Sequence, residues 1–226
     1  MDLQLTEHVI LVVGGRGLVG SAIVDRLRAE GATAIPASRR AGDGLVMDAS
    51  DDASVAAGFA RVHAEHGRLD GVVVAAAPSA QTLDPARNAD PDQVLEAFEG
   101  KALTFLRVAN AAIPSMREAG YGRIVGLSGQ NAFLTGNLAG SVRNAAVIIA
   151  AKNLADSLAG TGVTVNTVSP GAVTTEPSAE VAVARGGDST PADIAHLIAF
   201  LVSPLAGAIS GESIAVGHRV RGVTSL

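Results

Sequence analysis

The six residues His8-Val-Ile-Leu-Val-Val13 form an apolar, largely β-branched run that passes without a spacer into Gly14-Gly-Arg-Gly-Leu-Val-Gly20. Leu18, Val19, Ala22, Ile23 and Leu27 then recur at the helical period, so the segment reads as strand, glycine turn and helix. Glycines at 14, 17 and 20 let a backbone turn sharply, approach a pyrophosphate closely and pack the helix onto a sheet. The N–H groups at the start of that helix would face phosphates. With 26 glycines among 226 residues, a glycine triplet alone is a weak signal. Its place between a buried strand and an apolar helix favours nucleotide binding over a purely structural turn.

The same alternation continues along the chain. Strands are predicted near 8–13, 33–37, 44–47, 70–76, 122–128, 162–168 and 212–216, and helices near 18–30, 51–66, 90–118, 138–160 and 191–203. Ser50, Asp90 and Thr190 are the capping-type residues before three of these helices. The pattern predicts an α/β protein with a doubly wound parallel sheet of about seven strands between two helical layers, built as one domain over residues 1–226. Pro36 is discordant, because proline inside a covered strand loses a ladder hydrogen bond, and it predicts an irregular end to the second strand.

Composition removes several functions. With 48% hydrophobic and 17% charged residues the chain is no disordered segment, and no apolar run reaches the roughly eighteen residues of a membrane span. Met1-Asp-Leu-Gln lacks the basic-then-apolar pattern of a signal peptide, so a cytoplasmic location is expected. The absence of cysteine excludes disulfides, thiolate metal sites and cysteine nucleophiles. A net charge of −5 and no basic cluster longer than Arg39-Arg40 argue against nucleic acid.

Several stretches in the right order resemble the short-chain dehydrogenase/reductase family, from about residue 8 to about 218. Met47-Asp48-Ala49 is similar to the third-strand segment that contacts adenine, and Gly67-Arg-Leu-Asp70 resembles the entry to the fourth strand. Gly122-Arg-Ile-Val-Gly-Leu-Ser128 is similar to the fifth strand. Asn166-Thr-Val-Ser-Pro-Gly-Ala-Val-Thr-Thr175 resembles the segment that cradles nicotinamide, and Pro191-Ala-Asp-Ile-Ala and Ile209-Ser-Gly-Glu-Ser-Ile-Ala-Val-Gly217 resemble the last helix and strand. The resemblance implies a cofactor site made from Gly14, Gly15, Arg16, Gly17, Leu18, Val19 and Gly20, the Ser38-Arg39-Arg40 turn, Met47 to Ala49, Ala75, Ala76, Ala77, Pro170, Gly171, Val173 and Thr175.

The catalytic positions depart from that family. Its Tyr and Lys, one helical turn apart, supply the acid/base and the cation beside it; here the aligned residues are Gly140 and Asn144. Glycine has no side chain, and the neutral amide of Asn144 has no positive charge to offer. Counting back from Phe105-Leu106 places the family's helical Asn at Gly100. Ser128 alone survives, followed by Gly129 instead of a second serine, and a hydroxyl merely tied to backbone is an equal reading. Arg143 is a candidate for stabilising an oxyanion, with Gln130, Asn131 and Ser141 within reach of the same face. Tyr121 is expected on the surface away from the cleft, and His218 is expected to be a solvated or capping imidazole.

The cofactor segments also differ. Val13 replaces the family's Thr, and Val74-Ala75-Ala76-Ala77 replaces its Asn-Asn-Ala-Gly. The end of the second strand has no acidic residue for a ribose 2′-hydroxyl and instead has Arg39 and Arg40, which with Arg16 suit a 2′-phosphate. NADP(H) is therefore the expected cofactor, with NAD(H) or none as alternatives. Glu176 to Ser189 forms a short lid poor in polar groups, with Gly186-Gly187 as its expected hinge. The resemblance implies a small-molecule substrate or ligand and a homodimer or homotetramer, the apolar helix 138–160 pairing across a two-fold. Three functions stay open: an oxidoreductase with degenerate catalytic residues and weak or atypical activity on a small carbonyl or alcohol; a non-catalytic relative that binds a ligand or assembles with a partner; and a cyclase, isomerase or lyase reusing the cleft.

Overall fold

The computed structural model describes residues 2–40, 42–77 and 82–224. The chain runs β1 (Val9–Val13), α1 (Leu18–Ala29), β2 (Thr33–Ser38), β3 (Leu45–Val46), α2 (Asp52–His66), β4 (Gly71–Val74), α3 (Pro91–Phe98), α4 (Thr104–Ala119), β5 (Gly122–Leu127), α5 (Leu138–Ser157), β6 (Val163–Pro170), α6 (Pro191–Leu201) and β7 (Ser213–Val216). These strands form one parallel sheet in the order β3-β2-β1-β4-β5-β6-β7. From β1 the chain builds outward to β3, then returns to β4 and builds toward the other edge. The crevice beyond the carboxyl ends of β1 and β4 is the topological switch point, where such sheets bind ligands.

β1 shows why its sequence is apolar at every position. Val9, Leu11 and Val13 enter a core with Phe59, Phe105 and Ile124, beneath α2, α4 and α5. Ile10 and Val12 enter the opposite core with Ile23, Leu27, Ile194 and Ile198, beneath α1 and α6. A strand covered on both faces has no polar side to alternate with.

Three local expectations are corrected. Asp51 rather than Ser50 caps α2, its carboxylate accepting from the amide of Ala53 at 3.1 Å, while Ser50 bonds back to Asp48. The helix expected over 90–118 is divided by a π-helical turn at Glu99–Leu103. Periodicity does not reveal that extra residue, because Ala97, Ala102 and Phe105 stay buried on both sides of it. Pro36 leaves β2 regular. The bonds Thr33 N–H to His8 and Gly14 N–H to Ala37 direct the odd residues of β2 to β1, and Met47 N–H to Ser38 directs the even ones to β3. β3 pairs only with Ala37 and Ser38, so the missing N–H of Pro36 faces no acceptor strand.

Among the described residues no helix is long and apolar enough to cross a membrane.

Candidate functional site

The glycine turn lies at the switch point, and most of its glycines are required by the protein itself. Gly14 has a φ of +83°, and a Cβ there would come within 2.6 Å of the Ala76 amide nitrogen. A Cβ on Gly15 would meet Pro36, and one on Gly20 would overlap the Gly14 carbonyl. These three draw the ends of β4, β2 and α1 together. Gly17 differs, since a Cβ there would find only an ordinary contact at 3.4 Å. It occupies the N-cap of α1 with no side-chain cap, and no acidic residue lies in the first turn. The amides of Leu18, Val19 and Gly20 therefore have no intrahelical acceptor and present a partial positive charge at the crevice. Leu18 is also well exposed.

The β2 turn carries the charged wall of this half. Ser38 donates its hydroxyl to the Arg40 carbonyl at 3.0 Å, leaving Arg39 and Arg40 exposed, and Arg16 reaches the same turn through the Arg40 carbonyl at 3.5 Å. Asp48 accepts from the Ser50 hydroxyl at 2.6 Å and amide at 2.9 Å, which holds its carboxyl below the usual range, with Arg39 adding to the effect. The Met47 and Ala49 side chains are buried in the core rather than facing the crevice. Ala75 and Ala76 are half-buried and Ala77 is exposed at the end of β4. This geometry fits the adenosine and diphosphate half of a dinucleotide: a glycine approach, an uncapped helix start and exposed guanidinium groups at the end of β2.

The opposite half is closed upon itself. Ser128 is buried, and its hydroxyl donates to the backbone carbonyl of Asn144 at 2.9 Å. The Asn144 side-chain oxygen accepts from Lys101 at 2.6 Å, and Lys101 also donates to the Ser128 carbonyl at 2.9 Å. A Cβ on Gly129 would stand 3.1 Å from the Asn144 amide nitrogen, so glycine makes room for that amide. Gly140 lies in the first turn of α5 beneath the side chain of Asn137, which accepts from its N–H at 2.9 Å. Arg143 is buried beside this cluster, and desolvation lowers its pKa.

Lys101 escapes the sequence reading, which stops at its neighbour Gly100. Gly100 lies in the π-turn, and its neighbour is the residue whose side chain reaches Asn144. A signal was available: Lys101 is one of only two lysines in the sequence, set among the apolar residues that pack α3 and α4 into the core. Burial, aided by the nearby Arg143 charge, pushes its amine down to about 7.

The lid is pinned rather than hinged. Gly187 donates to the His218 carbonyl at 2.7 Å, and a Cβ on Gly187 would strike His218. Gly186 packs on Gln130, whose amide bonds the carbonyls of Val216 and His218. Ala184 and Arg185 exchange backbone bonds with Arg221, and Val173 bridges to Ser189. The Gly187 carbonyl lies against Gly171, so the Pro170-Gly171 segment is covered on that side, while Thr175 is exposed. His218 contributes mainly its backbone, as its exposed ring turns to the Arg219 carbonyl. A cavity of about 290 Å³ opens near Asn137, bordered by Leu83, Asp84, Asn88 and Gln93.

Tyr121 stands at the far end of β5 and is half-buried instead of superficial. It lies edge-on to His8 at 5.6 Å and under the Arg123 guanidinium at 4.3 Å. Desolvation raises its pKa.

Fold and crevice define the class: a doubly wound α/β protein of the dinucleotide-binding type. Residues 15–218 match the family model described as enoyl-(acyl carrier protein) reductase. The chain belongs to the short-chain dehydrogenase/reductase family, whose members bind NAD(P)(H), and the relatives it resembles are oxidoreductases. It is 32% identical over 240 residues to the (2S)-[(R)-hydroxy(phenyl)methyl]succinyl-CoA dehydrogenase subunit BbsC of Thauera aromatica, covering 96% of this chain and 95% of that one. It is 33% identical to D-threitol dehydrogenase of Mycolicibacterium smegmatis over 247 residues, covering 95% and 93%. The crystal structure of gox2181 superimposes with a TM-score of 0.81 at 22% identity, covering 95% of this chain and 96% of that one, a likeness of fold.

Proposed function

We propose that this protein binds NADP(H) in the crevice and has lost the proton-transfer machinery of its family, so that it reduces small carbonyl compounds weakly or atypically. The observation that carries the reading is the closed polar cluster. Ser128, Asn144 and Lys101 bond to one another, and Gly140 presents no acid. A missing positioned acid costs about 10² to 10⁴ in rate, which still leaves slow hydride transfer to activated acceptors. The NADP(H) preference is supported by exposed Arg39 and Arg40 and by Arg16 over the same turn. Titration of the protein with NADPH and NADH, followed by nucleotide fluorescence and calorimetry, tests the reading; the absence of tryptophan leaves a dark protein background. Micromolar NADPH binding with weak NADH binding is expected, together with turnover far below that of a complete family member. Binding of neither nucleotide would overturn it.

A second reading, a non-catalytic subunit that assembles with a partner, draws support from one relative being named as a dehydrogenase subunit. The outer face of α5, with Ile149 strongly exposed, would offer the contact. Light scattering separates a monomer from the homodimer or homotetramer otherwise expected.

A further inference from the structure

We propose that Lys101 is the positioning residue of the cleft floor: its amine, delivered by the π-turn between α3 and α4, clamps the Asn144 amide on α5 to the Ser128 carbonyl at the end of β5. Amine and amide thus stand on opposite helices from the arrangement that the family resemblance implies.

Three bonds close the clamp. Lys101 donates to Asn144 Oδ1 at 2.6 Å and to the Ser128 carbonyl at 2.9 Å, while the Ser128 hydroxyl donates to the Asn144 carbonyl at 2.9 Å. Ser128 is itself held in the sheet by its N–H to Val168 at 2.8 Å. The three side chains are buried, so no bond is replaced by water at no cost when one is removed. Two further features agree with the assignment. Gly129 leaves the space that the Asn144 amide fills, as any Cβ there would crowd it. The π-turn at Glu99–Leu103 locally widens the helix at the residue that carries the amine, and such widened turns gather at functional sites.

The clamp also explains why an amide is suited to position 144. A second amine would share this buried site with Lys101 and the nearby Arg143 guanidinium, in a region where like charges are poorly screened. Amide opposite amine is a complementary pair, and it remains complementary when the two are exchanged. Beyond the clamp, the turn that starts at Ser128 leads to Gln130, which reaches the carbonyls of Val216 and His218 under the lid. Lys101 therefore positions the floor on which the lid rests, without touching a ligand itself.

The test is an exchange. Asn144→Lys, Lys101→Asn and the double variant are unfolded in urea beside the native chain, and amide hydrogen exchange is followed in native protein and Lys101→Met. Asn144→Lys is expected to lower the unfolding midpoint sharply, and the double variant to recover most of that loss. Lys101→Met is expected to speed exchange at least tenfold at Ser128 and Ala132, in the turn after β5, and far less in β1. Simple addition of the single-variant losses in the double variant would overturn the pairing, as would unchanged exchange in the turn. If both single variants fail to fold, a folded double variant supports the pair and an unfolded one overturns it. None of these measurements needs a nucleotide, so the clamp and the NADP(H) reading fail separately.

Discussion

The two sides of the crevice use small and polar residues to opposite ends. In the turn between β1 and α1, glycines bring backbone elements together, and the first amides of α1 have neither a side-chain cap nor an intrahelical acceptor among the described residues. In the cluster at the end of β5, glycines at 129 and 140 make room for the neighbouring amides of Asn144 and Asn137, and the polar groups bond to one another. One half keeps unsatisfied groups available at a surface, as a ligand requires. The other satisfies its groups internally, as a core requires. On the function proposed above, the first half would keep the family's binding role while the second serves the framework.

The largest expected effect sharpens the glycine side. Gly20→Ala forces a methyl into the Gly14 carbonyl and should cost about 3 kcal/mol in urea unfolding. Gly17→Ala, which adds only an ordinary contact, should cost less than about 1 kcal/mol yet weaken NADPH about tenfold by shielding the start of α1. Equal stability losses at the two positions would remove the distinction between packing glycines and the one that faces a ligand.

The reaction side should be visible in the pH dependence of stability. Lys101 titrates at about 7 in the folded protein, against an ordinary 10.5 when unfolded. Between those values the unfolded chain binds the extra proton, so stability rises with pH, by up to about 1.4 kcal/mol per unit, and flattens below 7 and above 10.5. The charged group facing this amine is Arg143, which stays cationic throughout the window. Lys101→Met should abolish the slope in denaturation profiles taken from pH 6 to 10; a variant that retains it would place the titration elsewhere.

Smaller effects separate the halves further. Arg39→Ala should weaken NADPH about tenfold and leave NADH within about twofold, measured by calorimetry, because only the 2′-phosphate is lost to the variant. Ser128→Ala should cost about 1 kcal/mol, the bond to the Asn144 carbonyl, and leave any residual carbonyl reduction within about twofold. A tenfold fall in that reduction would return Ser128 to a catalytic role.

Much of this was legible in the residues. The apolar run of β1 and its glycine turn, the capping residues Asp90 and Thr190, and the positions of the seven strands along the chain all follow from local chemistry that a sequence displays directly. What was not legible depends on where distant segments meet. Pro36 fits a regular strand because β3 is only two residues long and pairs beyond it. Gly186-Gly187 looks like a hinge in isolation, but the tail from Gly217 to Arg221 is bonded across it. Lys101 and Asn144 are separated by 43 positions, and the amine meets the amide from a π-turn that helical periodicity does not display. The sequence by itself determined the layered α/β fold and the placement of the glycine turn, since periodicity and residue identity are local. The tertiary structure alone decided which polar groups are left facing the crevice and which are consumed within the core, because hydrogen-bond satisfaction belongs to pairs of groups rather than to single residues.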